Sequence, residues 1–165
     1  MSIFEHTVTI KAPTADVWQK LSDVESWPTW DSSLSWCKLS SSFSEGSVGS
    51  LKPRGGPKTT FELVNVVANK NFDVRSKLPL WNKMIVGHRL EDCADGARLT
   101  HSIKFEGWLS WVFDYFIGGG LKASLPSAMN SLKYTLEKHS ESVQLEATEG
   151  FESQSLLTRR KQFGY

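Results

Sequence analysis

Two histidines, His88 and His101, stand in neighbouring segments whose apolar residues alternate. His88 shares a face with Met84, Val86 and Leu90, and His101 shares one with Leu99, Ile103 and Phe105. Between them lies Asp95-Gly96, which favours a two-residue hairpin turn whose central positions need positive φ. With that turn Ala94 pairs with Ala97, Leu90 opposes His101 and His88 opposes Ile103. The two imidazoles are then diagonal neighbours on one face, within roughly 8 Å at Cβ. Imidazole titrates near neutrality and its neutral nitrogen is a good ligand, so the pair suits polar anchoring of a bound molecule, general acid–base work or metal ligation. The alternative is that each ring is a satisfied polar group among core side chains. No carboxylate shares the face nearby and no HExxH spacing occurs, so no metal site and no cofactor are assigned. His88 and His101 are catalytic candidates only if the protein is an enzyme.

Other polar residues stand at apolar positions. His6 alternates with Phe4, Val8 and Ile10; Asn65 sits with Phe61, Leu63 and Val67; Ser76 sits with Phe72, Val74 and Leu78. Asn65 and Ser76 are candidate ligand contacts, the alternative being a backbone or water partner. Asp31, after Trp27-Pro28-Thr29-Trp30, reads as a local cap rather than a catalytic acid. The loop Lys52–Lys58 carries Lys52, Arg54 and Lys58 and suits either a solvated hairpin tip or contact with an anionic group. Its glycines precede no phosphate-loop pattern.

The elements that must position these residues are legible from periodicity. Residues 3–11 alternate and read as a strand, closed by Ala12-Pro13. Thr14 and Asp16 then open a short helix over 14–22, with Thr14 as the expected cap. A second short helix is expected near Trp27–Asp31. Strands follow at 33–40, 48–54, 58–68, 71–79, 82–92 and 97–106, joined by short turns that favour antiparallel neighbours. From Trp108 the period becomes helical. Leu121, Leu125, Met129, Leu132 and Leu136 lie on one face. An aromatic helix over 108–117 should break at Gly118–Gly120 before a long helix from about 120 to 139. A curved antiparallel sheet and an apolar helix stripe satisfy each other when the stripe packs into the concave face. Strong curvature leaves room there for an internal cavity.

Composition narrows the function. The 165 residues carry 19 Lys and Arg against 18 Asp and Glu, a net charge of +1. That balance argues against a nucleic-acid partner, which wants concentrated positive charge. No apolar run reaches the roughly 18 residues of a membrane span, so no stable membrane insertion is expected. The start alternates and holds His6 and Lys11, which reads as a strand rather than a signal peptide. Cys37 and Cys93 alone form no disulfide framework, and a reducing cytoplasm fits best. Seven Trp, nine Phe and three Tyr point to a large apolar interior or contact surface.

Ile10-Lys11-Ala12-Pro13 followed by Val17-Trp18, Asp23, Trp27-Pro28 and Trp30-Asp31 resembles the opening of the polyketide cyclase/dehydrase and lipid-transport branch of the START/Bet v 1-like (SRPBCC) superfamily. Gly96, Leu99-Thr100, Gly107 and Leu125-Pro126, Leu132-Lys133 and Glu137 are similar to that family's closing strand and helix. The resemblance implies an α+β helix-grip fold. In it a curved antiparallel sheet of about seven strands wraps a long C-terminal helix, with two short helices after the first strand. It also implies a hydrophobic ligand cavity. In the family's usual strand order the first strand lies beside the last, which brings His6 toward His88 and His101. It does not imply one reaction, since carriers, receptors and cyclases share the fold.

The expected function is binding of a small or medium hydrophobic ligand, lipid- or polyketide-like, as carrier or sensor. The alternatives are a cyclase/dehydratase-type enzyme using cavity histidines, and a protein-interaction module with a closed cavity. The expected ligand-binding residues are His6, Val8, Phe61, Asn65, Val74, Ser76, Val86, His88, His101, Ile103, Phe113, Leu121, Leu125 and Met129. Trp18, Trp27 and Trp30 are read as packing, with lining of the cavity mouth as the alternative. The Trp108–Ile117 segment reads as a buried helix start, a lid hinged at Gly118–Gly120, a membrane-touching surface or an oligomer contact. One domain is expected over 1–140, and 141–165 is expected to be a tail, flexible or docked on a partner. A homo-oligomer through the aromatic segment or the tail stays open.

Overall fold

The structure is a computed structural model that describes the backbone of residues 3–162 and the side chains of residues 4–142. Strand β1 (Ile3–Ile10) leads into helix α1 (Thr14–Ser22) and a 3₁₀ turn (Val24–Thr29). Six strands follow: β2 (Leu34–Leu39), β3 (Val48–Pro53), β4 (Thr59–Val67), β5 (Asn71–Leu78), β6 (Asn82–Cys93) and β7 (Gly96–Glu106). A one-turn helix α2 (Ser110–Phe113) passes through a π turn (Asp114–Gly118) into the long helix α3 (Gly119–Gln162). The strands form one antiparallel sheet in the order β1-β7-β6-β5-β4-β3-β2. This is the expected helix-grip architecture.

The concave face collects the inward residues of each strand. Phe4, His6, Val8 and Ile10 come from β1, and Ala97, Leu99, His101, Ile103 and Phe105 from β7. Phe61, Leu63, Phe72 and Val74 extend the face across β4 and β5. Helix α3 packs along β1, and its predicted stripe is the buried one: Leu125, Met129, Leu132 and Leu136 are core, with Leu121 packed beside them. Near the middle of the helix the Glu137 carboxylate accepts the Lys11 backbone N–H at 2.9 Å, fastening α3 to the end of β1.

Several local expectations are corrected. Thr14 does not cap α1; its hydroxyl donates to the Asp92 carboxylate instead, and the helix has no side-chain cap. The three glycines do not break the last helix. Gly118 closes the π turn and sits where a Cβ would meet the Asp114 carboxylate at 2.6 Å, while Gly119 and Gly120 are helical with open space around them. The π turn over Asp114–Gly118 stands just before the position where the break was expected. The helix expected to end near residue 139 runs to Gln162.

The β6–β7 turn is centred one residue earlier than the sequence suggests. Cys93 pairs with Gly96, so Ala94 and Asp95 make the turn. Gly96 is needed for a different reason: its φ is +127°, and a Cβ there would lie 2.3 Å from the Ile10 carbonyl oxygen.

At the other end of the sheet, Leu80 and Trp81 take φ of +57° and +63° between Pro79 and Asn82, as a type I′ hairpin turn requires. The Asn82 N–H returns to the Pro79 carbonyl at 3.3 Å. These are bulky residues in a conformation that favours Gly, Asn and Asp. Buried Asn82 holds the turn: its amide donates to the Pro79 and Leu80 carbonyls and accepts the Leu109 N–H.

Candidate functional site

The corrected turn moves the register by two residues. Alternation is preserved, so the histidines keep their face, but their partners change. His88 lies directly opposite His101, not Ile103, and His101 lies directly opposite His6. On the other side His88 is opposite Phe72. The result is one row across four strands: His6, His101, His88, Phe72. The His88 and His101 ring centroids are 3.9 Å apart at 80°, and Phe72 stacks on His88 at 4.1 Å and 11°.

Both inner rings are buried, and His6 is half-buried. Burial disfavours the charged form. It holds His88 well below the usual histidine value, with His101 beside it adding to the effect. It likewise pushes His101 down to about 3, with His6 contributing. Both rings are therefore neutral at pH 7, each with one N–H donor and one bare nitrogen acceptor.

Among the described residues no protein group hydrogen-bonds Nδ1 of His88, or Nδ1 and Nε2 of His101. The buried Ser76 hydroxyl and the Trp30 indole N–H are in the same condition. Buried polar atoms are rarely left so, because each costs about 1–3 kcal/mol. Ser76, opposite Met84 and Phe61, lies two rows away from the histidines toward the Trp81 turn. The row between is apolar: Val74, Val86 and Ile103. Four residues of strand separate Ser76 from Phe72, which is roughly 14 Å.

Most of the expected binding residues thus meet on this face. Val8 stands in the next row, opposite Leu99. Leu125 and Met129 are buried on α3, while Phe113 and Leu121 pack at the edge of the core.

Asn65 does not join them. A bulge between Val64 and Val67 gives it φ of +56°, exposes it, and turns its amide to the Asp73 carboxylate at 2.6 Å. Val66 packs against the core instead. Asn tolerates the left-handed conformation, and that is the one signal in the sequence for this bulge.

The tryptophans divide. Trp27 and Trp30 are core, and Trp27 donates to the Leu21 carbonyl at 2.8 Å. Trp18 meets Phe43 and Phe72 edge-on. Trp27 also lies over Phe61, Phe72 and His88, a contact with the histidine row that alternation alone does not reveal. Asp31 is the local cap expected, accepting the Ser33 N–H and hydroxyl at 2.9 and 2.6 Å. Cys37 is buried, and burial raises its thiol to about 12.

Aromatic rings therefore fill the β4–β6 side of the concave face. A surface groove between Lys11–Pro13 and the β6–β7 turn lies outside the grip and includes none of the expected binding residues. Among the described residues, no group of three His, Cys, Asp or Glu side chains is placed to hold a metal ion, and no helix is long and apolar enough to cross a membrane.

A curved antiparallel sheet gripping a C-terminal helix defines a helix-grip protein of the Bet v 1-like class. The family described as polyketide cyclase / dehydrase and lipid transport matches residues 1–137, and the chain belongs to it.

Solved structures share the fold. Protein MLL2253 from Mesorhizobium loti is 18% identical with a TM-score of 0.66, covering 83% of this chain and 98% of its own. Ara h 8.0201 is 12% identical with a TM-score of 0.65, covering 82% and 97%. The di-domain ARO/CYC StfQ from the steffimycin biosynthetic pathway is 12% identical with a TM-score of 0.66, covering 84% of this chain and 51% of its own. No curated protein sequence matches the chain.

Proposed function

We propose that the chain binds an elongated hydrophobic molecule of small or medium size inside the grip, as a carrier or sensor. The observation that carries this reading is the set of buried polar atoms on the concave face that no protein group satisfies: both nitrogens of His101, Nδ1 of His88 and the Ser76 hydroxyl. Their spacing suggests the guest's shape. One polar group meets the imidazoles, a second meets Ser76, and roughly 14 Å of apolar structure spans the row of Val74, Val86 and Ile103 between them. Burial of that middle drives affinity, and the polar ends set orientation.

The rings around His88 touch one another, so room for the guest comes from the β1–β7 side, beside half-buried His6, or from a shift of α3. Phe113, Leu121, Leu125 and Met129 then cover the guest from the helix side. Residues 1–140 form the binding domain. The protein works in a reducing cytoplasm, and the remainder of α3 is an appendage to the domain.

An enzyme of the cyclase/dehydratase type is the second reading. It rests on the same imidazoles, which are neutral and able to accept a proton from a bound carbonyl compound. Native mass spectrometry of the protein from its own cell, with extraction of bound small molecules, tests the first reading. A copurified amphiphile recovered unchanged is the expected result. A chain that binds neither a copurified molecule nor an added amphiphilic probe overturns it. Turnover abolished by His88→Phe and His101→Phe, with probe binding retained, favours the enzyme.

A further inference from the structure

The sheet register brings three connections to one end of the half-barrel: the β3–β4 loop, the Leu80–Trp81 turn, and the segment that follows β7. The last two are bonded together. The Trp108 indole N–H donates to the Leu80 carbonyl at 3.0 Å, and the Leu109 N–H donates to the Asn82 side chain at 3.0 Å. This end presents large apolar side chains to solvent: Trp81 is 93% exposed, Tyr115 79%, Phe116 77%, Trp111 71%, Trp108 70% and Leu80 58%. Patches of this kind mark interaction sites on soluble folds. The turn is built to display them, since Leu80 and Trp81 occupy the two positive-φ positions of a tip held by a buried asparagine.

Charge identifies the partner. Lys77 and Lys83 oppose each other across the two strands just behind the tip, and Glu106, which stands across from Lys83 on β7, is ion-paired with Lys104, so two lysines share one carboxylate there and positive charge is in excess. Arg54 and Lys58 are exposed on the neighbouring loop. At the same end the Glu106 and Asp114 carboxylates are each met by a lysine, Lys104 at 2.6 Å and Lys122 at 2.8 Å. Arg54, Lys58, Lys77 and Lys83 make no ion pair among the described residues.

We propose that this end docks peripherally on the interface of a bilayer containing anionic lipids. Trp and Tyr rings settle at the headgroup level, and Leu80 and Phe116 enter the apolar boundary below it. The basic rim meets the negative surface. A second copy of the chain fits less well, because face-to-face packing would set one rim of lysines against another. Docking stands whether or not the grip carries a guest. If it does, the Leu80–Trp81 end of the grip faces the lipid.

The test is flotation of the intact chain with phosphatidylcholine vesicles and with phosphatidylcholine vesicles containing phosphatidylglycerol. Binding to the anionic vesicles, a blue shift of tryptophan emission and weakening by added salt are expected. Lys77→Ala with Lys83→Ala should lower vesicle affinity by about thirty-fold. Trp81→Ala with Trp111→Ala, both at exposed positions, should lower it by at least about ten-fold with the melting temperature held. No binding to either vesicle, or binding that both double variants leave unchanged, overturns the proposal. So does self-association that the tryptophan variants abolish while no vesicle is bound, which would assign the surface to a second copy.

Discussion

His88 and His101 face each other directly across β6 and β7, with ring centroids 3.9 Å apart, in the buried centre of the concave face. Neither position is one where a polar side chain would be placed for stability alone. A folded chain that keeps both rings neutral while its unfolded form can protonate them carries a pH dependence of known sign.

His101 titrates near 6.5 when unfolded and at about 3 when folded, and His88 is shifted the same way. Above 6.5 the rings are neutral in both states and stability is full. As pH falls from 6.5 toward 3, the unfolded chain gains a proton at His101 that the folded chain resists, so stability drops by about 1.4 kcal/mol per pH unit for that ring, and His88 adds to the loss in the same direction. Urea melts between pH 7 and 4 measure it. His101→Phe should flatten the slope by about half in the upper part of this window. An unchanged slope would mean that the ring is solvated in the folded state.

The same substitution separates orientation from burial in the grip. For a probe with a polar group at each end, His101→Phe should weaken binding by about ten-fold. For an apolar probe of the same length it should stay within about two-fold. Titration calorimetry with the two probes reads the difference, and equal losses would point to collapse of the site.

Asn82 is the joint between the Leu80–Trp81 turn and the segment after β7. Asn82→Ala should destabilise the protein by about 2–4 kcal/mol, since it strands carbonyls and an amide around a buried gap. Hydrogen exchange should accelerate at Leu109 before it does in the strands, because that N–H loses its acceptor.

Leu132 is fully buried in the middle of the α3 stripe. Leu132→Ala should cost about 2–5 kcal/mol, read as a lower urea midpoint with unchanged slope. A cost below about 1 kcal/mol would show that the stripe closes over the gap, as a loosely held helix would.

Much of the fold was legible in the sequence because period-two alternation holds along most of the strands, with breaks only at the irregularities in β2 and β4. Helix α1 spans the predicted residues, and the α3 stripe is the predicted one. The failures are local and share a cause: position along a strand is less constrained than face. The β6–β7 turn slipped by one residue, which shifts the register by two and keeps every side chain on its side, so alternation could not detect it. The glycine that suggested the turn is there for close approach to Ile10. Asn65 was misplaced because a bulge inverts the face after it, and a bulge leaves little trace in hydrophobicity. The triplet Gly118–Gly120 reads as a breaker by propensity, yet a helix anchored by a buried stripe tolerates it. The stacking of Trp27 and Phe72 on His88 joins residues far apart in sequence, and no pattern within one element encodes it.

Cys37 gives the molecule its own clock. Its thiol is walled in by the core and held to about 12, so alkylating reagents find no thiolate until the surrounding strands part. Half-exposed Cys93 offers no such barrier. Labelling in two stages, a prompt first and a slow second, would time how often the core beneath β2 opens.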